Sequence, residues 1–184
     1  MPPTRSVPRL RDPFCAMSHA AGALAGCVGT VFLLMRSVGD PWRIVSFAVY
    51  GGTLILLMVA SALHHTVPKG SRSESAFYAL DRAAIHGLIA GTYTPLCLVR
   101  LPGAWGWTLF GIAWGLAVGG VLLDTLTKRR IPDAIQAGLY LVCGWVFLVA
   151  IVPIARALTA TQLAWLVAGS VLYTVGAALC VKEP

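Results

Sequence analysis

Charged residues are scarce in this sequence. They make up 11% of its 184 residues, and only seven residues are acidic, whereas soluble domains are about 25% charged. Hydrophobic residues make up 58% of the chain and extend along nearly its whole length, with a mean hydropathy of +0.79. This composition excludes a water-soluble globular protein, a soluble domain on a single membrane tether and a disordered chain. We expect the lipid bilayer to be the solvent of this protein.

Paired cysteines are also lacking. The five cysteines are odd in number, form no C-x-x-C pair and lie mostly within apolar runs, so they do not indicate a disulfide framework. We interpret them as small buried hydrophobic residues: Cys15, Cys27, Cys97, Cys143 and Cys180.

A basic stripe with interleaved aromatic residues, which is typical of nucleic-acid binding, is absent as well. The net charge is nevertheless +7, and the excess positive charge lies in the short segments between apolar runs. Membrane orientation explains this distribution, because cytoplasmic loops of membrane proteins carry an excess of Lys and Arg. We therefore expect membrane lipids as partners and no nucleic acid.

The sequence does contain six apolar windows, each close to the 20 residues or so that a transmembrane helix needs. The two-residue alternation of membrane β-strands does not occur, and Gly and Pro mark the short connections. The sequence thus predicts an all-α fold: a polytopic transmembrane helical bundle with six spans, forming one domain over residues 16–184 after an N-terminal segment 1–15. We expect the first window to be a retained helix rather than a cleaved signal. The windows are Ala16–Met35, Ile44–Leu63, Ala83–Val99, Ala104–Leu123, Ala134–Val152 and Leu163–Cys180.

The distribution of Lys and Arg predicts the orientation of the bundle. With six spans, ten of these residues lie on the side of the N-terminus and four on the opposite side. Both termini are then expected to be cytoplasmic, in a protein of the cell membrane. The ten are Arg5, Arg9, Arg11, Lys69, Arg72, Arg82, Lys128, Arg129, Arg130 and Lys182, and the four are Arg36, Arg43, Arg100 and Arg156.

Glycines four residues apart indicate where helices pack closely, since small residues let backbones approach each other in lipid. We expect such glycines to form packing seams inside the bundle, and a dimerisation face is the alternative for the longest series. The seams are Gly22 with Gly26, Gly87 with Gly91, and the glycine ladder Gly111, Gly115 and Gly119.

Ionisable residues within the spans are candidates for function, because placing them in lipid is costly. Under the predicted topology, three helices bring such groups to one depth near the cytoplasmic surface. Ser61 and His65 are four residues apart and share a helix face, whereas His64 is rotated by about 100° from His65 and is not expected to share its ligand geometry. The other groups at this depth are His19, Asp81 and His86.

This combination of imidazole, carboxylate and hydroxyl groups leaves three roles open: binding a metal ion, relaying protons, or satisfying hydrogen bonds at the membrane surface. Zinc suits neutral imidazole and a nearby carboxylate, but a zinc site normally needs three protein ligands, and His65 alone is one. We interpret two further acids as solvated loop charges, since they flank a basic run: Asp124 and Asp133, on either side of Lys128-Arg129-Arg130.

Several motifs are specific enough to indicate a family. They are Ser61-Ala62-Leu63-His64-His65, Leu80-Asp81-Arg82-Ala83-Ala84-Ile85 and Ile89-Ala90-Gly91-Thr92-Tyr93-Thr94-Pro95, with Ser18-His19-Ala20-Ala21-Gly22, Leu139-Tyr140-Leu141-Val142-Cys143-Gly144-Trp145 and Tyr173-Thr174-Val175-Gly176-Ala177 in the first, fifth and sixth windows. Together these motifs resemble the hemolysin III branch of the progestin and adipoQ receptor superfamily over nearly the whole chain.

The resemblance implies a seven-helix bundle with a cytoplasmic N-terminus and an intramembrane zinc ion near the cytoplasmic face. By resemblance, His65 corresponds to the zinc ligand on the second helix, Asp81 to the acid that holds water beside the zinc, and Ser61 to the adjacent motif serine. Two more ligands are expected from an H-x-x-x-H motif on the seventh helix, but this sequence ends where that helix would begin and lacks the motif. Arg11 and Cys15 stand where the family usually carries Glu and Asn.

Two functions follow as hypotheses. The first is a zinc-dependent hydrolase that cleaves an amide or ester bond of a membrane lipid, which the family's similarity to ceramidases implies, with His65 as metal ligand and Asp81 and Ser61 as catalytic residues. The alternative is a non-enzymatic membrane protein, degenerate or truncated, that senses lipid state or perturbs membranes, as the hemolysin name implies. A variant zinc site that recruits His19 or His86 is a third arrangement open to this chain.

Overall fold

The computed structural model describes residues 11–127 and 131–182, with side chains as far as Leu179. Its helices are α1 (Pro13–Met35), α2 (Pro41–Thr66), α3 (Glu74–Pro95), α4 (Ala104–Leu126), α5 (Asp133–Trp145), α6 (Ile151–Ala157) and α7 (Ala160–Lys182). A π-helical segment, Leu96–Arg100, extends α3, and a 3-10 segment, Val146–Ala150, joins α5 to α6. The predicted all-α bundle is confirmed. Several predicted charges lie outside the described residues, namely Arg5, Arg9 and the run Lys128-Arg129-Arg130, as does the side chain of Cys180.

Aspartate caps set the starts of the first two helices. Asp12 accepts a hydrogen bond from the Cys15 N–H at 3.2 Å, and Asp40 accepts one from the Arg43 N–H at 3.1 Å. A proline follows each cap at the first helical position, where its missing N–H is not needed. Both helices therefore begin three residues before the predicted window, and α1 starts inside the predicted N-terminal segment 1–15.

The central helix of the bundle is α3, which packs against α2, α4 and α5. It begins at Glu74, nine residues before the predicted window that starts at Ala83, and it buries the charged residue Arg82. The other five spans, α1, α2, α4, the α5–α6 stretch and α7, are long and apolar enough to cross a membrane. α3 is less apolar, and it can carry polar residues such as Arg82 and His86 because they are buried against neighbouring helices. The chain is a multi-pass membrane protein.

A tyrosine of α3 lies at the break in the fifth span. In a continuous α-helix the Phe147 N–H would donate to the Cys143 carbonyl. Here the Phe147 N–H donates to the Tyr93 hydroxyl at 3.1 Å, and this hydroxyl lies 3.2 Å from the Cys143 oxygen and 2.7 Å from the Gly144 oxygen. The Tyr93 hydroxyl thus replaces one helical hydrogen bond and ties α3 to the α5–α6 stretch.

Two of the predicted glycine seams contain close contacts. A Cβ built on Gly22 would lie 2.8 Å from the Met58 sulfur, and one on Gly91 would lie 2.1 Å from the Thr53 hydroxyl. Gly26 also faces α2, at ordinary contact distance. In contrast, a Cβ on Gly87 would meet nothing within 4 Å, so Gly91 alone forms the α3 seam.

The glycine ladder of α4 does not form an internal seam, and that prediction was wrong. All three glycines are exposed, and a Cβ built on any of them would meet no described atom within 4 Å. α4 carries small residues on two faces, and the other face is the one that packs. The buried face holds Gly106, Leu109, Ala113 and Ala117.

The cysteine prediction holds for two of the four cysteines with described side chains. Cys97 and Cys143 are buried, whereas Cys15 is half-buried and Cys27 is exposed. Cys27 lies on the outward face of α1, where lipid solvates a thiol as an apolar core would. None of these four described cysteines forms a disulfide.

Candidate metal centre

The start of α1 is joined to the end of α2 by a backbone hydrogen bond. The N–H of Asp12 donates to the carbonyl of His65 at 3.1 Å. The His19 ring stacks on the His65 ring, with 5.5 Å between centroids and 16° between planes. His19 Nδ1 lies 2.7 Å from the Cys15 carbonyl, and because a carbonyl only accepts, Nδ1 carries the proton. These contacts set the position of the His65 ring within a polar cluster at one end of the bundle. We call this end, which carries Asp12, His19 and His65, the N-terminal face.

The three residues predicted as the site come together at this face. Ser61 is buried on α2, and Asp81 lies two turns into α3 rather than at its start. The Asp81 carboxyl group faces the Ser61 hydroxyl and lies close enough to His64 and His65 for direct electrostatic attraction. The arrangement places a carboxylate, a hydroxyl and an imidazole side by side.

His64 lies beside the same site, since it also attracts Asp81 and its ring centroid is 5.3 Å from that of His65, and it makes further contacts of its own. Its Nε2 accepts from the Arg11 guanidinium at 3.4 Å, and its ring lies 5.6 Å from the Tyr78 ring. Arg11 also forms an ion pair with Glu74 at 3.5 Å. This group links the residues before α1 to the start of α3.

One ring nitrogen of His65 fits a metal ligand. Nδ1 is buried and has no hydrogen-bond partner among the described residues, and the Asp12 carboxylate is 4.0 Å away. The ligand atoms of Asp12, Cys15 and His65 all lie within 4.8 Å of one another. Hydrogen bonds from Cys15 hold the pKa of Asp12, which precedes the first span, below its usual value, so this carboxylate is charged at neutral pH. The donor chemistry fits zinc.

A second polar cluster, on α3, α4 and α5, was missed by sequence reasoning. The Asp124 side chain is only 8% exposed and forms an ion pair with Arg82 at 3.3 Å, while the Gln136 amide donates to it at 3.0 Å. The prediction that Asp124 is a solvated loop charge was therefore wrong, whereas Asp133 is indeed exposed. The available signal was position: Asp124 lies only one residue beyond an apolar window, where an unpaired carboxylate would be costly.

His86 lies in this second cluster. Its Nε2 is 3.6 Å from the Asp124 carboxylate, and its ring packs edge-on against Tyr140. Its other nitrogen is buried without a hydrogen-bond partner in the described part of the chain. Because α4 and α5 hold His86 in this way, the structure groups it with Asp124 rather than with His65. Of the two histidines expected as alternative ligands, His19 is the one that reaches the predicted site.

The comparison with known proteins assigns the family. Residues 9–183 match the family model described as Haemolysin-III related. The chain belongs to the haemolysin-III related family. Hemolysin-3 of Bacillus cereus is 38% identical over 164 residues, which cover 88% of this chain and 74% of the relative. The Hemolysin-3 homolog of Bacillus subtilis (strain 168) is 35% identical over 163 residues, covering 88% of this chain and 76% of the relative.

A more distant relative fits the wider superfamily that the motifs indicate. The Monocyte to macrophage differentiation factor of Homo sapiens is 28% identical over 132 residues, which cover 70% of this chain and 55% of that protein. The haemolysin-III resemblance seen in the motifs is therefore confirmed, together with its helical, multi-pass membrane architecture.

Proposed function

We propose that this haemolysin-III related protein is a zinc-dependent hydrolase that cleaves an amide or ester bond of a membrane lipid. The observation that carries the proposal is the convergence of Ser61, His65 and Asp81, from two helices, at the N-terminal face. Metal-assisted hydrolysis uses groups of this kind: a metal-binding imidazole, a carboxylate that handles protons, and a neighbour that orients the carboxylate.

Each of the three side chains has a separate task in this proposal. His65 would hold zinc through Nδ1, and zinc, when bound, would supply a Lewis acid that polarises the scissile carbonyl group. Asp81 accepts a proton from the attacking water and returns it to the leaving group. The Ser61 hydroxyl, which faces the Asp81 carboxylate, would hold it in position by donating a hydrogen bond.

We further propose that the N-terminal face is cytoplasmic and that the protein lies in the cell membrane. The charge distribution supports this orientation. Arg82 is buried and so no longer counts among the surface charges, which leaves nine of the ten predicted Lys and Arg residues on this side, against four on the other. A site at this depth would meet the carbonyl groups of inner-leaflet lipids.

The test is hydrolysis of N-acyl and ester lipids by the purified, zinc-supplemented chain in nanodiscs. Asp81→Asn removes the group that accepts the proton, and general acid–base catalysis contributes about 10²–10⁴-fold to rate. We expect a loss of at least 100-fold with unchanged bound zinc, and no loss for the control Asp133→Asn, whose carboxylate is exposed. Equal rates for Asp81→Asn and the parent chain would contradict the proposal.

The hemolysin names of the two bacterial relatives favour a second candidate function, in which the chain perturbs membranes without hydrolysis. Dye release from vesicles containing the purified chain tests it. Leakage that persists unchanged in His65→Ala and Asp81→Asn, with no lipid cleaved by the parent chain, would favour this function over the hydrolase.

A further inference from the structure

The N-cap of α1 brings a carboxylate and a thiol to the end of α2. Asp12 Oδ1 accepts from the Cys15 N–H at 3.2 Å, and Oδ2 of the same carboxylate faces His65 Nδ1 at 4.0 Å. The backbone hydrogen bond from Asp12 to the His65 carbonyl keeps these side chains at the same level. Asp12 therefore orders the first turn of α1 with one oxygen and presents the other to the orphan nitrogen of His65.

We propose that Asp12, Cys15 and His65 together ligate the divalent metal of this chain. Their ligand atoms lie within 4.8 Å of one another. Bond lengths of about 2.0–2.3 Å in a tetrahedral zinc site place ligand atoms about 3.3–3.8 Å apart, so a contraction on the order of 1 Å closes the site. The proposal rests on the proposed function for the presence of zinc, and it names two ligands that the family resemblance does not.

The mixture of ligands selects the metal. An imidazole nitrogen and a thiolate sulfur are ligands of zinc and other borderline metals, while calcium and magnesium take oxygen ligands. Three protein ligands leave one tetrahedral position open, which is the pattern of catalytic rather than structural zinc sites. Asp81 lies near His65 and so can serve that open position from α3.

The surrounding charges accommodate a divalent cation. Asp12 and Asp81 are two carboxylates close to His65, and Cys15 adds a third negative charge when its thiol proton is released to solvent as the metal–sulfur bond forms. Arg11, which precedes Asp12 in the chain, is paired with Glu74 and donates to His64. Its charge is therefore partly neutralised before a metal enters.

This ligand set differs from the one implied by the resemblance, in which two ligands come from an H-x-x-x-H motif. Here both additional ligands lie on the first helix and its cap. Cys15 is one of the two positions at which this chain departs from the usual family residues, and the departure places a thiol 50 positions before His65 in sequence but within metal-ligand reach in space. The thiol gives the site a spectroscopic signature that imidazole and carboxylate ligands lack.

Cobalt(II) binding to the full chain in detergent tests the assignment. A thiolate bound to Co(II) produces a strong near-ultraviolet charge-transfer band, and we expect the parent chain to show it at a stoichiometry of one. Cys15→Ser should abolish the band, whereas Cys27→Ser, a matched change on the exposed face of the same helix, should leave it intact. His65→Ala and Asp12→Asn should each raise the Kd for cobalt at least tenfold, and Asn retains the N-cap so that α1 still forms.

Each contrary result has a distinct meaning. Cobalt bound without the charge-transfer band, or a band that survives Cys15→Ser, would overturn the ligand assignment, and so would a failure of the parent chain to bind cobalt. Circular dichroism of every variant shows whether the helices are intact, and Asp12→Asn tests the site without removing the cap. A chain that shows the band but cleaves no lipid would instead overturn the proposed hydrolase and leave the metal site standing.

Discussion

The histidine side chains of this bundle are each positioned by a different kind of neighbour. His19 lies against a second imidazole, that of His65, while His64 faces the aromatic ring of Tyr78. His86 packs where α4 has no side chain at all, at Gly120. These neighbours, rather than the histidines themselves, decide which imidazoles are available to a metal.

The contact between His86 and Gly120 predicts a steric effect. A Cβ at position 120 would lie 2.1–2.5 Å from three atoms of the buried His86 ring, so Gly120→Ala must displace the ring or separate α3 from α4. We expect a loss of about 1–3 kcal/mol in the free energy of unfolding, as for other overpacked cores. Gly119→Ala is the matched control, since its Cβ would meet nothing within 4 Å. Thermal unfolding in detergent measures both, and equal midpoints would show that the ring moves freely.

Asp124 predicts an electrostatic effect at the same scale. Among the described residues, Asp124→Asn leaves the buried Arg82 with the exposed Asp133 carboxylate, at 3.7 Å, as its one acidic partner. Removing one member of a buried ion pair typically costs about 3–5 kcal/mol, and we expect a loss near the lower figure because asparagine keeps the shape. Asp133→Asn, on the exposed member of the network, should change stability by less than about 0.5 kcal/mol. Similar losses for the two variants in chemical denaturation would contradict the central role of Asp124.

At the scale of helices, α4 shows how a span can be misassigned when both of its faces carry small residues. Its exposed face holds the glycine ladder, and its buried face holds alanines and Gly106, whose Cβ would lie 1.8 Å from the Leu101 carbonyl oxygen. It is therefore the buried face of α4, at Gly106, that lies close to the backbone of a neighbouring segment. The glycines of the ladder face outward, where lipid or another protein meets them.

This arrangement reverses the effect that an internal seam would predict for Gly115. A Cβ at this exposed position of α4 would meet no described atom within 4 Å, so Gly115→Leu should leave the unfolding temperature unchanged or raise it slightly through higher helix propensity. Gly91→Leu on α3, by contrast, should lower the unfolding temperature by several degrees, because Thr53 lies where its Cβ would be. A large loss from Gly115→Leu would indicate that the ladder packs against something beyond the described residues.

At the scale of the whole molecule, α3 differs from the other five spans in its polarity. Five spans are apolar enough to cross a membrane by themselves, whereas α3 contributes ionisable residues to both polar clusters and packs against α2, α4 and α5. The polar groups of α3 are paired with side chains from α2, α4 and α5, which lowers the cost of placing them within the bilayer.

The topology predicted from charge is open to a direct test. Reporters fused at the N-terminus and at Pro184 should both report the cytoplasmic side, because six spans return the chain to its starting side and basic residues concentrate there. The control is a reporter inserted in the short connection between α3 and α4, which should report the opposite side. A C-terminal reporter on that opposite side would mean that one segment does not cross, and α3 is the first to examine.

The sequence by itself determined the class of this protein. Long apolar windows can be satisfied in lipid only by helices or closed barrels, so the all-α bundle, its six segments and its short connections were predicted, and the motifs indicated the family. The convergence of Ser61, His65 and Asp81 was predictable as well, because helical spacing and alternating spans place them at one depth. The roles of these residues as ligand and catalysts stay predictions.

Only the tertiary structure decided which helix faces pack inside the bundle and which acidic side chains are buried there. In a soluble helix the polar face marks the outside, but in a membrane span both lipid and core favour apolar residues, so the sequence does not show which glycines of α4 pack inward. Burial of Asp124 depends on Arg82, 42 positions away, and the approach of Asp12 and Cys15 to His65 depends on a backbone hydrogen bond between α1 and α2. Contacts between distant segments have no local periodicity, and for that reason the structure was needed to find them.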